Sequence, residues 1–88
     1  MRYRSRSDIA EMILEAANGG GATKTKIMYK AFLSYAQLKE YLTVLLENAL
    51  LQYEEGRQFL RTTEKGMRVL QMYNQFDEMM SISGIESK

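Results

Sequence analysis

The sequence has no cysteine, histidine, proline or tryptophan among its 88 residues. Without cysteine it forms no disulfide framework, thiolate zinc site or cysteine nucleophile. Without histidine it lacks the commonest metal ligand and the usual general base at neutral pH. It also has no run of about 18 apolar residues, which a membrane-spanning helix requires. We therefore expect a cytoplasmic protein that is not an enzyme, is not embedded in a membrane and needs no cofactor.

The length is that of one small domain. A compact monomer of this size buries roughly 64% of the surface that its unfolded chain exposes, so the core is thin and a partner surface would help it. The formal net charge is +1, but the charges are unevenly placed. Residues 1–39 carry seven basic and three acidic side chains, a net +4, whereas residues 40–88 carry five basic and eight acidic ones, a net −3. Such asymmetry can mark a face that binds nucleic acid or a membrane; the alternative, in a chain this short, is chance.

Apolar residues in the first part of the chain recur with a helical period. The first helix is predicted over 8–18, with Asp8 and Glu11 as a capping box and the run Gly19–Gly21 as its end. Its apolar stripe consists of Ile9, Met12, Ile13, Ala16 and Ala17.

Two further helices follow the glycines. The second is predicted over 24–31, after a very short strand or a cap at Ala22 and Thr23. The third is predicted over 34–48, because Ser34 and Gln37 form a capping box. The turn of about three residues between them is typical of a helix-turn-helix.

The period then changes to that of β-strands. Leu51 and Tyr53 alternate with polar residues, a turn follows at Glu55 and Gly56, and the return strand ends near Thr62, which predicts a hairpin over 50–62. A last helix is predicted over 63–80, followed by a flexible tail over 81–88. Three helices, a two-stranded wing and a C-terminal helix make a mainly helical α+β protein, a winged helix-turn-helix.

Three stretches carry a resemblance to a known family: TKTKIMYKAFLSYAQLKEYL, LLENALLQYEEGRQFL and TTEKGMRVLQMY. Residues 4–80 resemble small archaeal winged-helix proteins that are DNA-binding chromosomal proteins or predicted transcriptional regulators. The resemblance implies that the third helix docks in the major groove, that the wing lies along the DNA backbone, and that the C-terminal helix dimerises as an antiparallel coiled coil. The family usually has glycine between the third helix and the wing. This chain has Asn48 and Ala49 there, so we expect Asn48 to take the left-handed conformation.

The first turns of the third helix supply candidates for contact with base edges, namely Ser34, Tyr35, Gln37 and Lys39. Gln37 can bond adenine and Lys39 can reach guanine or a phosphate. Glu40 faces the same way and would repel phosphates unless it accepts from a cytosine amine. The alternative is that Gln37 is only a capping partner and Lys39 a solvated charge.

Other basic residues could contact the DNA backbone. Arg2, Arg4 and Arg6 form a flexible basic arm over 1–7, suited to phosphates or a narrow minor groove; the alternative is a disordered tail that aids solubility. Lys24 and Lys26 lie in the first turn of the second helix, where they could bind a phosphate. On the wing, Arg57 and Arg61 are candidates, but the neighbouring glutamates predict a weak contribution.

The C-terminal helix carries a broad apolar stripe that predicts a homodimer. The stripe consists of Val69, Met72, Tyr73, Phe76, Met79 and Met80. It could instead fold back on its own protomer, or bind a different protein.

These patterns leave two functions open. The first is a dimeric double-stranded DNA-binding protein, associated with the nucleoid as a transcriptional regulator or chromosomal protein. The alternative is a winged-helix module that binds proteins in a larger assembly without nucleic acid. No small-molecule ligand is evident from the sequence.

Overall fold

The computed structural model of the chain describes residues 4–54, 56 and 59–82. Those residues form four α-helices and a two-stranded antiparallel sheet. Their bounds are Arg6–Ala16 for α1, Lys24–Ala31 for α2, Tyr35–Glu47 for α3, Leu51–Tyr53 for β1, Leu60–Thr62 for β2 and Glu64–Ile82 for α4. A helix-turn-helix followed by a hairpin and a last helix is a winged helix, so the predicted fold class is confirmed.

Short polar side chains set the starts of α2 and α3. The Ser34 hydroxyl accepts from the Gln37 N–H at 3.2 Å, and the Gln37 side-chain oxygen accepts from the Ser34 N–H at 3.0 Å. This is the predicted capping box. Thr23 caps α2 by accepting from the Lys26 N–H at 3.1 Å. Both helices of the helix-turn-helix therefore begin at positions fixed by local hydrogen bonds.

The start predicted for α1 is wrong. Ser5 is the N-cap and Asp8 is its capping-box partner, with both reciprocal hydrogen bonds at 3.0 Å. Aspartate can serve either as a cap or as the acceptor three residues into a helix, and the serine three residues upstream gives Asp8 the second role. The box predicted between Asp8 and Glu11 therefore does not form. Arg6 consequently belongs to α1 rather than to an arm that precedes it.

The chain reverses after α3 at Ala49, whose φ is 61°. The Leu50 N–H donates to the Leu45 carbonyl at 2.9 Å, which is the bond of a Schellman motif. The prediction that Asn48 takes the left-handed conformation is wrong, since its φ is −91°. The Asn48 side-chain amide donates to the Val44 carbonyl at 2.8 Å, which holds Asn48 on the helix and moves the reversal to the next residue.

The wing is fastened to the helices on both sides. Leu51 lies opposite Thr62 in the β1–β2 pair, and Ala22 exchanges two backbone hydrogen bonds with Leu60, at 2.9 and 2.8 Å. The short strand predicted near Ala22 is thus a single bridge. The buried Thr62 hydroxyl donates to the Leu14 carbonyl of α1 at 2.6 Å. These bonds fix the hairpin relative to the helix-turn-helix.

Apolar side chains from all the helices and both strands form one core. The helical period of leucines predicts an apolar stripe on α3 at Leu38, Leu42, Leu45, Leu46 and Ala49. The first three are buried, Leu46 is half-buried and Ala49, beyond the end of α3, is exposed. The predicted stripe of α1 omitted Leu14, which is fully buried because β2 covers that flank of the helix. The largest fully buried side chains are Ile13, Leu14, Ile27, Leu38, Leu51 and Leu60.

The last helix is anchored at its first turns and exposed thereafter. The Thr63 hydroxyl oxygen accepts from the Gly66 N–H at 3.0 Å, and Leu70 is buried in the core. Gly66 packs against the Leu50 carbonyl oxygen so closely that a Cβ atom would collide with it. The 19 residues of α4 span about 28 Å. Between residues 71 and 80 every side chain is exposed except the half-buried Tyr73.

Candidate nucleic-acid interface

The start of α2 carries two positive charges and no acidic residue in its first turn. Lys24 and Lys26 lie in its first turn, which has no acidic residue. Lys26 is exposed, whereas Lys24 is half-buried with its ammonium 5.6 Å from the centre of the Tyr53 ring on β1. The N-terminal end of the helix dipole is also positive, so these cations are unfavourable for the helix alone. A bound anion at this end would relieve the repulsion.

The start of α3 presents an aromatic ring and a cation on one flank. Tyr35 is 52% exposed, and the Lys39 ammonium lies 5.7 Å from the centre of its ring. The two residues are one turn apart, so the phenol and the ammonium lie side by side. Ser34 and Gln37 are engaged in the capping box. Gln37 therefore acts as the capping partner, which was the alternative interpretation. Its side-chain nitrogen takes no part in the capping box.

The charged residues around the start of the helix-turn-helix all have the same sign. Residues 16–39 contain four lysines and no acidic residue. They cover the end of α1, all of α2, the turn and the first residues of α3. The helix-turn-helix is therefore basic from its start to Lys39, and Glu40 is its first acidic residue.

The three arginines predicted to form a flexible arm have separate places. Arg2 lies outside the described residues. Arg4 donates to the carbonyl oxygens of Ala31 and Phe32, the latter at 3.0 Å, and lies 6.0 Å from the centre of the Phe32 ring. Arg6 is the first residue of α1. The flexible arm is therefore wrong for Arg4 and Arg6. The last carbonyls of a helix lack partners within it, and those of α2 accept the Arg4 guanidinium.

One of the two basic residues predicted on the wing, Arg61, is paired with an acidic residue. Arg61 Nε lies 2.9 Å from the Glu54 carboxylate across the hairpin. The Gln52 side-chain amide approaches the same carboxylate at 3.4 Å. Arg57 lies outside the described residues. The charge of Arg61 is therefore partly compensated before any DNA approaches.

The other flank of α3 borders a groove of about 560 Å³ between α1, α3 and α4. Glu40 lines this groove rather than lying beside Lys39, because one residue along a helix is a rotation of about 100°. The lining is mainly apolar: Ala10, Tyr41, Val44, Leu45 and Tyr73, with Arg6, Ser7 and Glu40. Glu40 is exposed and lies about 100° around α3 from Lys39 and about 60° from Gln37.

The six residues of the predicted dimer stripe divide into two groups. Val69 packs against the core of its own protomer, and Tyr73 lines the groove. The other four point outward, with exposed fractions of 62% for Met72, 58% for Phe76, 64% for Met79 and 37% for Met80. An exposed apolar surface thus extends along the second half of α4.

Carboxylates gather around Glu11, where α4 passes α1. Burial raises the pKa of Glu11, and the carboxylates of Asp77, Glu15 and Asp8 raise it further. Over the residues that the structure describes, no group of three or more acidic residues could hold a metal ion. Nor, within those ranges, does any helix have the length and apolar character needed to cross a membrane.

Two exposed aromatic side chains at the turn add a surface that the sequence patterns did not assign to the interface. Tyr29 and Phe32 are each 74% exposed. Tyr29 lies about 200° around α2 from the buried Ile27, a rotation that the sequence alone could have indicated. Phe32 had no such signal, because its exposure depends on a left-handed backbone with φ 56°.

Comparison with known proteins agrees with this architecture. A family profile described as "Winged helix-turn-helix" matches residues 3–81. The matched range contains the helix-turn-helix, both strands of the wing and α4 up to its penultimate residue. No curated protein matches the chain. The match covers most of the chain and coincides with the observed order of elements. The chain therefore belongs to the winged helix-turn-helix family.

Proposed function

We propose that the protein binds double-stranded DNA as a dimeric transcriptional regulator or chromosomal protein in the nucleoid, without catalysis. The observation that carries this proposal is the charge of residues 16–39, from the end of α1 to the start of α3, which hold four lysines and no acidic residue. Proteins that neutralise DNA phosphates need such charges, and a winged helix places the start of its third helix at the base edges. A winged helix-turn-helix domain is typically a binding module rather than an enzyme.

The residues of the interface have distinct roles in this proposal. Lys26, the adjacent N–H groups of α2 and Lys24 bind backbone phosphates. Lys39 and Tyr35 enter the major groove and contact base edges or the flanking phosphate. The Gln37 side-chain oxygen already accepts from the Ser34 N–H, which uses one of its two lone pairs. In a two-bond contact with adenine the nitrogen of Gln37 donates and its oxygen accepts a second hydrogen bond.

Salt-dependent binding to a random-sequence duplex tests the proposal. Fluorescence anisotropy should show an affinity that falls with salt, with a log–log slope of about −0.9 per phosphate neutralised. Lys26→Glu and Lys39→Glu should each weaken binding and make the slope shallower by about one contact. Salt-independent binding, or no binding at about 50 mM salt, would contradict DNA binding.

A matched lysine controls for net charge. The Lys65 ammonium lies 3.0 Å from the Asn48 carbonyl, at the opposite end of α3 from Ser34. The 13 residues of α3 put about 20 Å between these ends. Lys65→Glu changes the net charge as the other two substitutions do, so its duplex affinity should fall much less than theirs. Equal losses in all three variants would indicate binding by overall charge rather than by the helix-turn-helix.

We also propose that two copies pair through the exposed side of α4. Met72, Phe76 and Met79 form an apolar surface on one side of a projecting helix, which a second copy of the same helix could cover. Sedimentation equilibrium should give a dimer for the wild type and a monomer for Phe76→Asp. Gln75→Asp, an exposed polar position on the same helix, should remain dimeric. A monomeric wild type would contradict this part of the proposal.

The second candidate function is a protein-interaction module without nucleic acid. The apolar groove beside Glu40, Tyr41 and Val44 favours it, because it offers a concave surface on the acidic flank of α3. The two functions are distinguished by the Lys26→Glu and Lys39→Glu variants. If neither variant affects binding to a duplex, the groove becomes the better candidate for the functional surface.

A further inference from the structure

Phe32 is a poor choice for stability alone. Its φ of 56° is a left-handed conformation that costs a residue with a Cβ atom more than it costs glycine or asparagine. Burial does not offset this cost, because 74% of the residue is exposed. The left-handed backbone itself ends α2, since the Leu33 N–H donates to the Met28 carbonyl at 3.0 Å, as the Leu50 N–H does to the Leu45 carbonyl at the end of α3. The end of the helix does not explain the choice of a large, exposed ring at this position. The turn between α2 and α3 thus holds an exposed aromatic ring where a small residue would fit better.

Arg4 holds this ring in place and gives it a positive neighbour. Its guanidinium donates to the carbonyl oxygens of Ala31 and Phe32 and lies 6.0 Å from the centre of the ring. A cation over an aromatic face is a favourable contact that restricts the ring. Phe32 therefore presents its surface from a fixed position, two residues before the N-cap of α3.

Two tyrosines extend the same kind of surface on either side of the turn. Tyr29 is 74% exposed on α2, and Tyr35 is 52% exposed at the start of α3 with Lys39 5.7 Å from its ring centre. We refer to Tyr29, Phe32 and Tyr35 as the aromatic turn. Rings alternate with cations here, and no acidic residue lies between positions 16 and 39. A partner that fits must be anionic and must also present apolar groups.

We propose that the aromatic turn contacts the 5-methyl groups of thymine in the major groove, with Phe32 as the main contact. This inference rests on the proposed DNA binding. The thymine methyl is the apolar feature that a base pair displays in the major groove, and aromatic or aliphatic side chains pack against it. Phosphates lie on either side of that groove, where a cation such as Lys39 beside Tyr35 could bind them. The intact duplex offers no base face for stacking, so a methyl contact suits these rings better than intercalation.

Replacing thymine by uracil tests this contact, because it removes the methyl group and leaves the phosphates and hydrogen-bonding edges unchanged. Two duplexes of the same A·T-rich sequence are compared by anisotropy at one salt concentration. The wild type should bind the uracil duplex about fourfold more weakly for each methyl group that it buries. Phe32→Asn should bind both duplexes alike while remaining folded, since asparagine tolerates the left-handed backbone. Phe32→Tyr should keep the preference for thymine.

A control variant and the slope of the salt dependence distinguish a failure of the methyl contact from a failure of the proposed DNA binding. Met67→Ala removes a side chain that is 46% exposed on α4 and should keep the thymine preference. Equal wild-type affinity for the two duplexes, with normal salt dependence, overturns the methyl contact and leaves the proposed function standing. No binding to either duplex overturns the proposed function itself. A Phe32→Asn variant that retains the full preference, or a wild type that prefers single-stranded DNA, also overturns the methyl contact.

Discussion

Replacing Arg4 tests whether its side chain stabilises the end of α2 or binds DNA. Arg4→Ala removes two hydrogen bonds from a charged donor to the Ala31 and Phe32 carbonyls, together with the contact over the Phe32 ring. Hydrogen bonds of charged groups contribute about 1.5–3 kcal/mol each, and an exposed cation–π contact about 0.5–1 kcal/mol. The Phe32 bond is exposed to solvent, so we expect a total loss of about 2 kcal/mol in the free energy of unfolding. For a domain of this size that loss lowers the melting temperature by roughly 8–16 °C.

Urea unfolding followed by far-ultraviolet circular dichroism measures this loss. The midpoint should fall while the slope of unfolding free energy against urea stays the same, because the surface exposed on unfolding is unchanged. Arg4→Lys is the matched control, since it keeps the positive charge but loses the planar fork that reaches two carbonyls. It should recover about half of the lost stability.

Unchanged stability with weaker DNA binding would refute the structural role of Arg4. An Arg4→Ala protein with wild-type stability, but with weaker duplex binding and a shallower salt slope, would show that Arg4 acts as a phosphate contact. The arm interpretation would then hold for Arg4, and the position of Phe32 would not depend on it.

Three further predictions follow from the packing. Ala49→Gly should stabilise the fold by about 0.5–1 kcal/mol in the same urea titration, because it removes the left-handed strain at the end of α3; an unchanged midpoint would contradict this. Gly66→Ala should destabilise it by about 2–3 kcal/mol, since the new Cβ meets the Leu50 carbonyl, and wild-type stability would mean that α4 packs less closely. Burial and the Asp77 carboxylate raise the pKa of Glu11 above its ordinary 4.5. The folded state therefore favours protonated Glu11, and the stability of the fold falls as the pH rises from 4.5 through the raised pKa. Glu11→Gln should therefore melt at a higher temperature than wild type at about pH 7 and at the same temperature near pH 3.5, and a difference of equal size at both pH values would exclude this cause.

Features with a local cause could be predicted from the sequence. The start of α3 depends on two side chains three residues apart, so the Ser34 and Gln37 box is both predicted and observed. The change from a helical to a strand period predicts the position of the wing in the sequence. Leu51, on the apolar side of the predicted strand, is buried in the structure. The turn of the helix-turn-helix follows from the distance between two such starts. These features need no knowledge of the rest of the fold.

Features that depend on competition between neighbours were predicted less well. Ser5 and Asp8 are both good caps, and each has a carboxylate three residues later, so this local signal does not decide which of them begins α1; the structure has Ser5. Asn48 usually favours the left-handed conformation more than Ala49 does. Its side chain instead bonds the Val44 carbonyl, which is available only once α3 exists. Local preference alone therefore gives the wrong residue in each case.

The candidate interface shows the same division. The charges of Lys26 and Lys39 are readable from the sequence, and both residues are exposed in the fold. The capture of Arg4 by the end of α2 is not readable, because it joins residues 28 positions apart. The groove that Glu40 lines is not readable either, because residues of α1 and α4 form its other walls. Tertiary contacts thus decide which of the predicted charges remain available to DNA.

The most direct test of the central claim is nuclear magnetic resonance of the labelled protein titrated with duplex DNA. Amide shifts should change most over residues 23–26 and 34–39, where α2 and α3 begin, and least around the groove. Added salt should reverse these changes together. Changes concentrated at Ala10, Tyr41 and Val44, or no changes at low salt, would contradict DNA binding by the helix-turn-helix.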